Sequence, residues 1–163
     1  MPTEELTFVY VETTDARARE ILDDLEREYD DRYGDLLDGP ASVEIDRYPV
    51  EAFRAPHGAF VVVQKNGVTV AGGAFMRLDA QTAEFKRIWT HPDHRRRGLS
   101  RRVLTELEAE AVRRGYRRVF LTTGPRQPEA VGLYRSAGYS DAAWPGGPDA
   151  EFVGFAFEKT LPA

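Results

Sequence analysis

The 163-residue sequence contains no cysteine. That excludes disulfides, thiolate nucleophiles and cysteine-ligated zinc together. Only three histidines are present: His57, His91 and His94. Pro92 and Asp93 separate the last two within a turn, and no third ligand has suitable spacing, so no metal is expected. No uninterrupted apolar run approaches the roughly 20 residues of a membrane span. The first residues, Met1-Pro2-Thr3-Glu4-Glu5, lack the basic region and long apolar stretch of a secretory signal. Both common nucleotide loops are missing, the G-x-x-x-x-G-K-[ST] run and a G-x-G-x-x-G after a strand. These absences lead to the expectation of a soluble, cytoplasmic protein with no membrane partner. The length and the 42% hydrophobic content suit a single domain over residues 1–163.

Charge is what the chain has in quantity, and it is unevenly spread. Residues 1–51 hold 16 Asp/Glu against 5 Lys/Arg, a local balance of −11, within a total of −5. Residues 86–118 hold 11 Lys/Arg against 4 Asp/Glu, a local +7. A basic region beside an acidic one suits an anionic cofactor and a cationic acceptor. The plain alternative for the acidic half is a solvated face.

The basic region peaks at His94-Arg95-Arg96-Arg97-Gly98-Leu99-Ser100-Arg101-Arg102. Upstream, Ala83 to Thr90 reads as a strand, and His91-Pro92-Asp93-His94 as a turn that Pro92 enforces. Downstream, Val103, Leu104, Leu107, Ala111 and Val112 recur at helical spacing, and Gly115 ends the helix. Arginines at a helix N-terminus oppose the macrodipole unless an anion docks there. Free backbone N–H groups at that end, with Gly98 permitting close approach, suit phosphate. A basic surface loop without a ligand is the competing reading.

Elsewhere, Thr7 to Val11 alternates as a first strand. Thr13, Thr14 and Asp15 can cap a helix whose apolar stripe is Ala18, Ile21, Leu22, Leu25 and Tyr29. Residues 36–56 read as irregular, with short helical turns near Ala41–Ile45 and Val50–Phe53. Ala59 to Gln64 and Thr69 to Arg77 flank Lys65-Asn66-Gly67, a hairpin signal. An apolar strand follows from Arg118 to Thr122, then a short helix from Glu129 to Ala137. Gly146-Gly147-Pro148 reads as a loop before a last strand, Phe152 to Glu158. The order is β-α-(α)-β-β-β-α-β-α-β-β, an α/β fold with helices packed on a mixed sheet.

Two segments carry a family resemblance. Arg95-x-x-Gly98-x-Ser100 resembles the acyl-CoA pyrophosphate loop [Q/R]-x-x-G-x-[G/A] of the GNAT acetyltransferase superfamily, with Ser100 in place of Gly or Ala. Gln127-Pro128-Glu129-Ala130-Val131-Gly132-Leu133-Tyr134-Arg135-Ser136-Ala137-Gly138-Tyr139 resembles that family's N-x-x-A-x-x-L-Y-x-x-x-G-F. Gln127 there replaces Asn and Tyr139 replaces Phe. Order and separation of the two segments also fit, and the likeness is firm from about Thr69 to Tyr139.

The resemblance implies transfer of an acetyl group from acetyl-CoA, as co-substrate, to a primary amine by direct attack in a ternary complex. It implies a bulged central strand that parts from its neighbour, with pantetheine pairing to the main chain of Ile88, Trp89 and Thr90 as an added strand would. Trp89 reads equally as core. Pyrophosphate falls to the backbone of Arg96, Arg97, Gly98, Leu99, Ser100 and Arg101, with Arg95 adding charge, and the pantetheine arm to Gln127. Tyr134 matches the family tyrosine near the sulfur and is assigned as general acid. Glu84 matches a glutamate that serves some relatives as base, with an outward strand residue as the alternative. Other relatives carry their glutamate where this chain has Thr122. His91 is a further candidate base.

The expected acceptor is a small-molecule or peptide amine, its cationic character inferred from Asp31, Tyr33, Asp35 and Asp38. Two other functions are weighed. One is a CoA-binding module without catalysis, suggested by Ser100 and Gln127. The other is nucleic-acid binding through the arginines, which a pI near 5.3 and the lack of interleaved aromatics disfavour. No nucleic-acid partner is therefore expected. The resemblance also admits a homodimer.

Overall fold

The computed structural model of the chain describes residues 5–33, 48–124, 127–145, 147 and 154–162. Its strands are β1 (Leu6–Tyr10), β2 (Ala59–Lys65), β3 (Val68–Arg77), β4 (Thr82–Thr90), β5 (Arg118–Thr123), β6 (Ser140–Ala142) and β7 (Phe155–Thr160). The described helices are α1 (Ala16–Tyr33), α2 (Leu99–Arg113) and α3 (Pro128–Ser136), with 3-10 turns at Val50–Phe53 and Pro92–His94. One seven-stranded sheet runs β1-β2-β3-β4-β5-β7-β6, and every neighbouring pair is antiparallel except β4 with β5.

Local chemistry sets the boundaries. Asp15 starts α1 by accepting the backbone N–H of Arg17 at 2.9 Å, an N-cap bond. Asn66 and Gly67 both have positive φ, so β2 and β3 join through a two-residue turn that keeps the strands' right-handed twist. The last strand differs from expectation. It runs Phe155–Thr160 rather than ending at Glu158, because Lys159 and Thr160 continue the ladder opposite Val119 and Arg118. Apolar alternation fades over those residues, although their backbone still pairs. Phe152, the 41–45 turn and most of the 146–148 loop lie outside the described residues.

The sheet buries two apolar layers. Ala18, Ile21, Leu22 and Leu25 of α1 pack on Phe60, Val62, Ala74 and Trp89. Val103, Leu104, Leu107 and Ala111 of α2 pack on the other face with Val61, Phe75, Phe85 and Val119, and Tyr134, Tyr139 and Phe157 join them. Gly72 and Gly73 let both helices close on the sheet. A Cβ on Gly72 would lie 2.4 Å from Ile21 Cδ1, and one on Gly73 would lie 2.8 Å from Ile88 Cδ1 and 2.9 Å from Val103 Cγ1.

Opposite that glycine pair, β4 bulges. Gly72 pairs with Trp89 and Ala74 with Lys86, so Arg87 and Ile88 together face Gly73 alone. Arg87 takes φ 61°, the left-handed value that an extra strand residue adopts when it is re-aimed. On its other edge β4 pairs with β5 only from Thr82 to Glu84. Beyond Glu84 the two parallel strands part, and among the described residues the β5-side edge of β4 has no further ladder.

Candidate active site

The parting of β4 and β5 opens into a cleft of about 650 Å³. Ile88, Trp89 and Thr90 of β4 line it, as do Arg95, Arg96, Gly98, Leu99, Ser100 and Arg101 of the following loop and first turn of α2. Gln127 and Tyr134 close the α3 side. Eleven of the thirteen residues that the family resemblance matches to cofactor or catalytic positions therefore meet in one cavity; His91 is not among its lining residues. Arg97 is exposed and is not among the lining residues. Glu84 is also outside the lining. Its carboxylate sits 3.3 Å from Lys86 Nζ, with both side chains largely buried.

The loop has the backbone geometry that an anion site requires. Gly98 precedes α2 with φ 75°, and a Cβ there would meet no atom within 4 Å. The backbone angle, rather than crowding, is what calls for glycine. Among the described residues, no side chain caps this helix start. The first-turn N–H groups of α2 have no intrahelical acceptor, so they and the helix dipole face whatever docks there. Ser100 has a specific partner, since its Oγ lies 2.6 Å from Thr90 Oγ1 and joins the first turn of α2 to the last residue of β4.

Other side chains are held around the same cavity. Arg101 donates to Ser136 Oγ at 3.1 Å and to the Ser136 carbonyl at 2.9 Å, tying α2 to the end of α3. Arg95 donates Nε to the Thr90 carbonyl at 3.3 Å and Nη2 to Glu28 at 3.4 Å. Gln127 Oε1 accepts from the backbone N–H of Gly124 at 3.1 Å and from Thr123 Oγ1 at 3.3 Å. Its carbonyl thereby anchors the β5–α3 connection.

Trp89 is both core and wall. It is 3% exposed, and its indole N–H donates to Asp24 Oδ2 of α1 at 2.6 Å. Tyr134 is buried, and loss of hydration pushes its phenol well above the usual tyrosine range, with Tyr29 adding in the same direction. It is therefore protonated at any ordinary pH and able to donate. His91 uses Nδ1 to accept the backbone N–H of Asp93, and its ring packs edge-on against Trp89 and His94. Asp31 is exposed near the end of α1, Tyr33 is the last residue of that helix, and Asp35 and Asp38 lie outside the described residues.

The sequence points to Asp31 and Tyr33 near the end of α1, but not to the α1 residues that form a wall of the cleft. Leu25, Glu28 and Arg32 line the cleft together with Glu129 of α3. Their spacing of three and seven residues places the α1 members on one helix face, and that was the available signal. On paper, Glu28 and Arg32 read as an ordinary i,i+4 surface pair.

Comparison with known proteins agrees with this geometry. Residues 18–139 match the model of the acetyltransferase (GNAT) family. An IAA acetyltransferase of Azospirillum brasilense is 32% identical over 123 residues, covering 73% of this chain and 78% of that protein. Among solved structures, an acetyltransferase from Streptococcus agalactiae superposes with TM-score 0.72 at 20% identity, covering 96% of this chain and 98% of that one. PaiA N-acetyltransferase from Thermoplasma acidophilum, solved with coenzyme A, superposes with TM-score 0.73 at 15% identity, covering 96% and 99%.

Proposed function

The chain belongs to the acetyltransferase (GNAT) family, and from that premise we propose that it transfers an acetyl group from acetyl-CoA to a primary amine by direct attack in a ternary complex. One observation carries this reading. The unpaired β4 edge, the uncapped start of α2 and a protonated tyrosine all open onto a single cleft.

The residues present fit acyl-CoA. An extended arm can pair with the free edge at Ile88–Thr90 as a strand would. The first-turn N–H groups after Gly98 receive pyrophosphate, with Arg95, Arg96, Arg97 and Arg101 supplying charge. Gln127 is a ligand for the arm through its amide N–H groups, since its carbonyl is engaged by Gly124. Acyl-CoA supplies an activated carbonyl and a thiolate leaving group. Tyr134 gives its proton to the departing sulfur; burial keeps that proton on the phenol and makes it a weaker acid, so transfer comes as thiolate charge develops. Backbone N–H groups of β4 stabilise negative charge on the carbonyl oxygen. Glu84 serves as base through water, because its carboxylate is paired with Lys86 away from the cleft wall. The acceptor is a small-molecule or peptide amine.

Thermal unfolding with acetyl-CoA, CoA and ATP at matched concentration tests the cofactor, since a ligand of the native state alone raises stability. Both CoA species are expected to raise the midpoint and ATP is not. Failure of both to do so removes the assignment of Arg95–Ser100. With no cysteine in the chain, a thiol-reactive dye then reports only released CoA over an amine panel. Release with alcohols or water but with no amine would overturn the acceptor class.

A further inference from the structure

Four charged side chains form a chain across the cleft from loop to helix to helix. Arg95 Nη2 lies 3.4 Å from Glu28 Oε2, and Glu28 Oε1 lies 3.0 Å from Arg32 Nη2. Arg32 Nη1 then lies 2.5 Å from Glu129 Oε1. Arg95 belongs to the loop before α2, Glu28 and Arg32 to α1, and Glu129 to the first turn of α3. All four line the cavity.

We infer that Arg32, held in place by Glu28, is a phosphate ligand for acyl-CoA supplied by α1, and that Glu129 is the carboxylate it exchanges for that phosphate. The inference rests on the cofactor reading above.

Three features separate this from a simple strut between helices. The first is placement. Arg32 shares Glu28 with Arg95, so the two guanidinium groups sit around one carboxylate inside the cleft. The second is the position of Glu129. It stands at the start of α3, where a helix favours an anion. Burial works against its ionisation, but its own backbone N–H, Arg32 and Arg95 outweigh that and hold its carboxyl below the usual range. That spot therefore already selects negative charge. The third is energetic. The Glu129 side chain is 60% exposed, and an ion pair with so wet a partner contributes little and is readily given up. A planar guanidinium offered to a phosphate group forms two parallel charge-assisted bonds and gains more. Exchange of carboxylate for phosphate at Arg32 is thus favourable, and it needs no rearrangement of the β4 edge.

The test uses opposite predictions for the two partners. If the pair is a strut, Arg32→Gln and Glu129→Gln break the same bridge and weaken CoA binding alike. If Arg32 is the ligand and Glu129 its placeholder, the two variants part. Calorimetric titration of CoA is expected to show Arg32→Gln weaker by about tenfold. Glu129→Gln is expected to bind as well as the parent or up to about fivefold tighter. Dephospho-CoA identifies the phosphate. An equal loss for Arg32→Gln on both ligands assigns the pyrophosphate, and a loss on CoA alone assigns the 3′-phosphate. Weakening by both variants, or unchanged affinity in Arg32→Gln, overturns the inference while leaving the cofactor reading intact. A parent protein that does not bind CoA overturns both.

Discussion

The hydroxyl of Ser100 lies 2.6 Å from that of Thr90, so the two ends of the arginine loop are pinned together by a pair of side chains. The residue that departs from the usual Gly or Ala of the family motif is thereby also the residue that fixes the loop's span. A neutral hydrogen bond of this kind contributes about 1 kcal/mol net. Ser100→Ala and Thr90→Val should each lower unfolding free energy by roughly that amount, and the double variant by less than the sum. CoA affinity should fall only severalfold, because the phosphate contacts assigned to this loop come from its main chain. Urea unfolding of the four proteins measures the coupling. Strict additivity would mean the two hydroxyls do not interact.

Tyr134→Phe keeps the ring that packs against Tyr139 and Phe157 and removes only the hydroxyl. Turnover should drop about 100-fold or more, while affinity for acetyl-CoA stays within twofold. Burial keeps the parent's phenol protonated, so its pH–rate profile should show no alkaline limb from this group below pH 10. Equal turnover by parent and variant would remove Tyr134 from the proposed mechanism.

The bond from Trp89 to Asp24 joins α1 to β4 beside the bulge. Asp24→Ala leaves the indole N–H buried and unpaired, a loss of about 1–3 kcal/mol. Asp24→Asn retains an acceptor oxygen and should lose less. Chemical unfolding followed by tryptophan fluorescence ranks the three. If Ala and Asn variants are equally destabilised, charge rather than hydrogen bonding is what Asp24 contributes.

How much of this was legible in the sequence follows from how local each cause is. The Asn66-Gly67 turn, the Asp15 cap and the α2 stripe depend on neighbours in the chain, and each is found where expected except for Val112, which is exposed near the end of α2 while Leu99 is buried at its start. The cleft was legible for a different reason, since the Gly98 loop and the Tyr134 helix each carry a recognisable run of residues. What escaped was contact between distant segments. Nothing near Asp24 announces a tryptophan 65 residues away. Glu28 and Arg32 look like a surface pair until α3 brings Glu129 to them. The Glu84–Lys86 pair is the opposite case, because residues two apart on β4 share a face of the strand and alternation alone makes their pairing legible.

In the sequence Gly72 and Gly73 read only as strand residues, yet their missing side chains set the distance of both helices from the sheet. Gly73→Ala would press on the ends of Ile88, Val103 and Leu107, each within 3.0 Å of the new Cβ. The Ile88 and Leu107 atoms are flexible side-chain ends and can give way, whereas Val103 is stiff at χ1, so the fold should survive with a loss of roughly 1–3 kcal/mol. Ile88 also lines the cleft, and its displacement should weaken acetyl-CoA binding as well. A variant as stable as the parent would show that α2 can shift freely, and the close packing at the bulge would then carry no energy.

Asp15 offers a reading of α1 through pH. Its side-chain bond to the Arg17 guanidinium, followed by the bond from the Arg17 backbone N–H, lowers its pKa from 3.8 to about 2. A carboxylate whose pKa is depressed by folding stabilises the native state above its unfolded value and loses that contribution as pH falls through the folded one. Asp15→Asn has no charge to titrate at this position. At pH 6 the variant should melt a few degrees below the parent. Between pH 4 and pH 2 the gap should close as Asp15 takes up its proton. A gap that stays constant over that interval would mean that it does not come from the Asp15 charge, since Asn keeps a carbonyl for the backbone bond and only the charge titrates there.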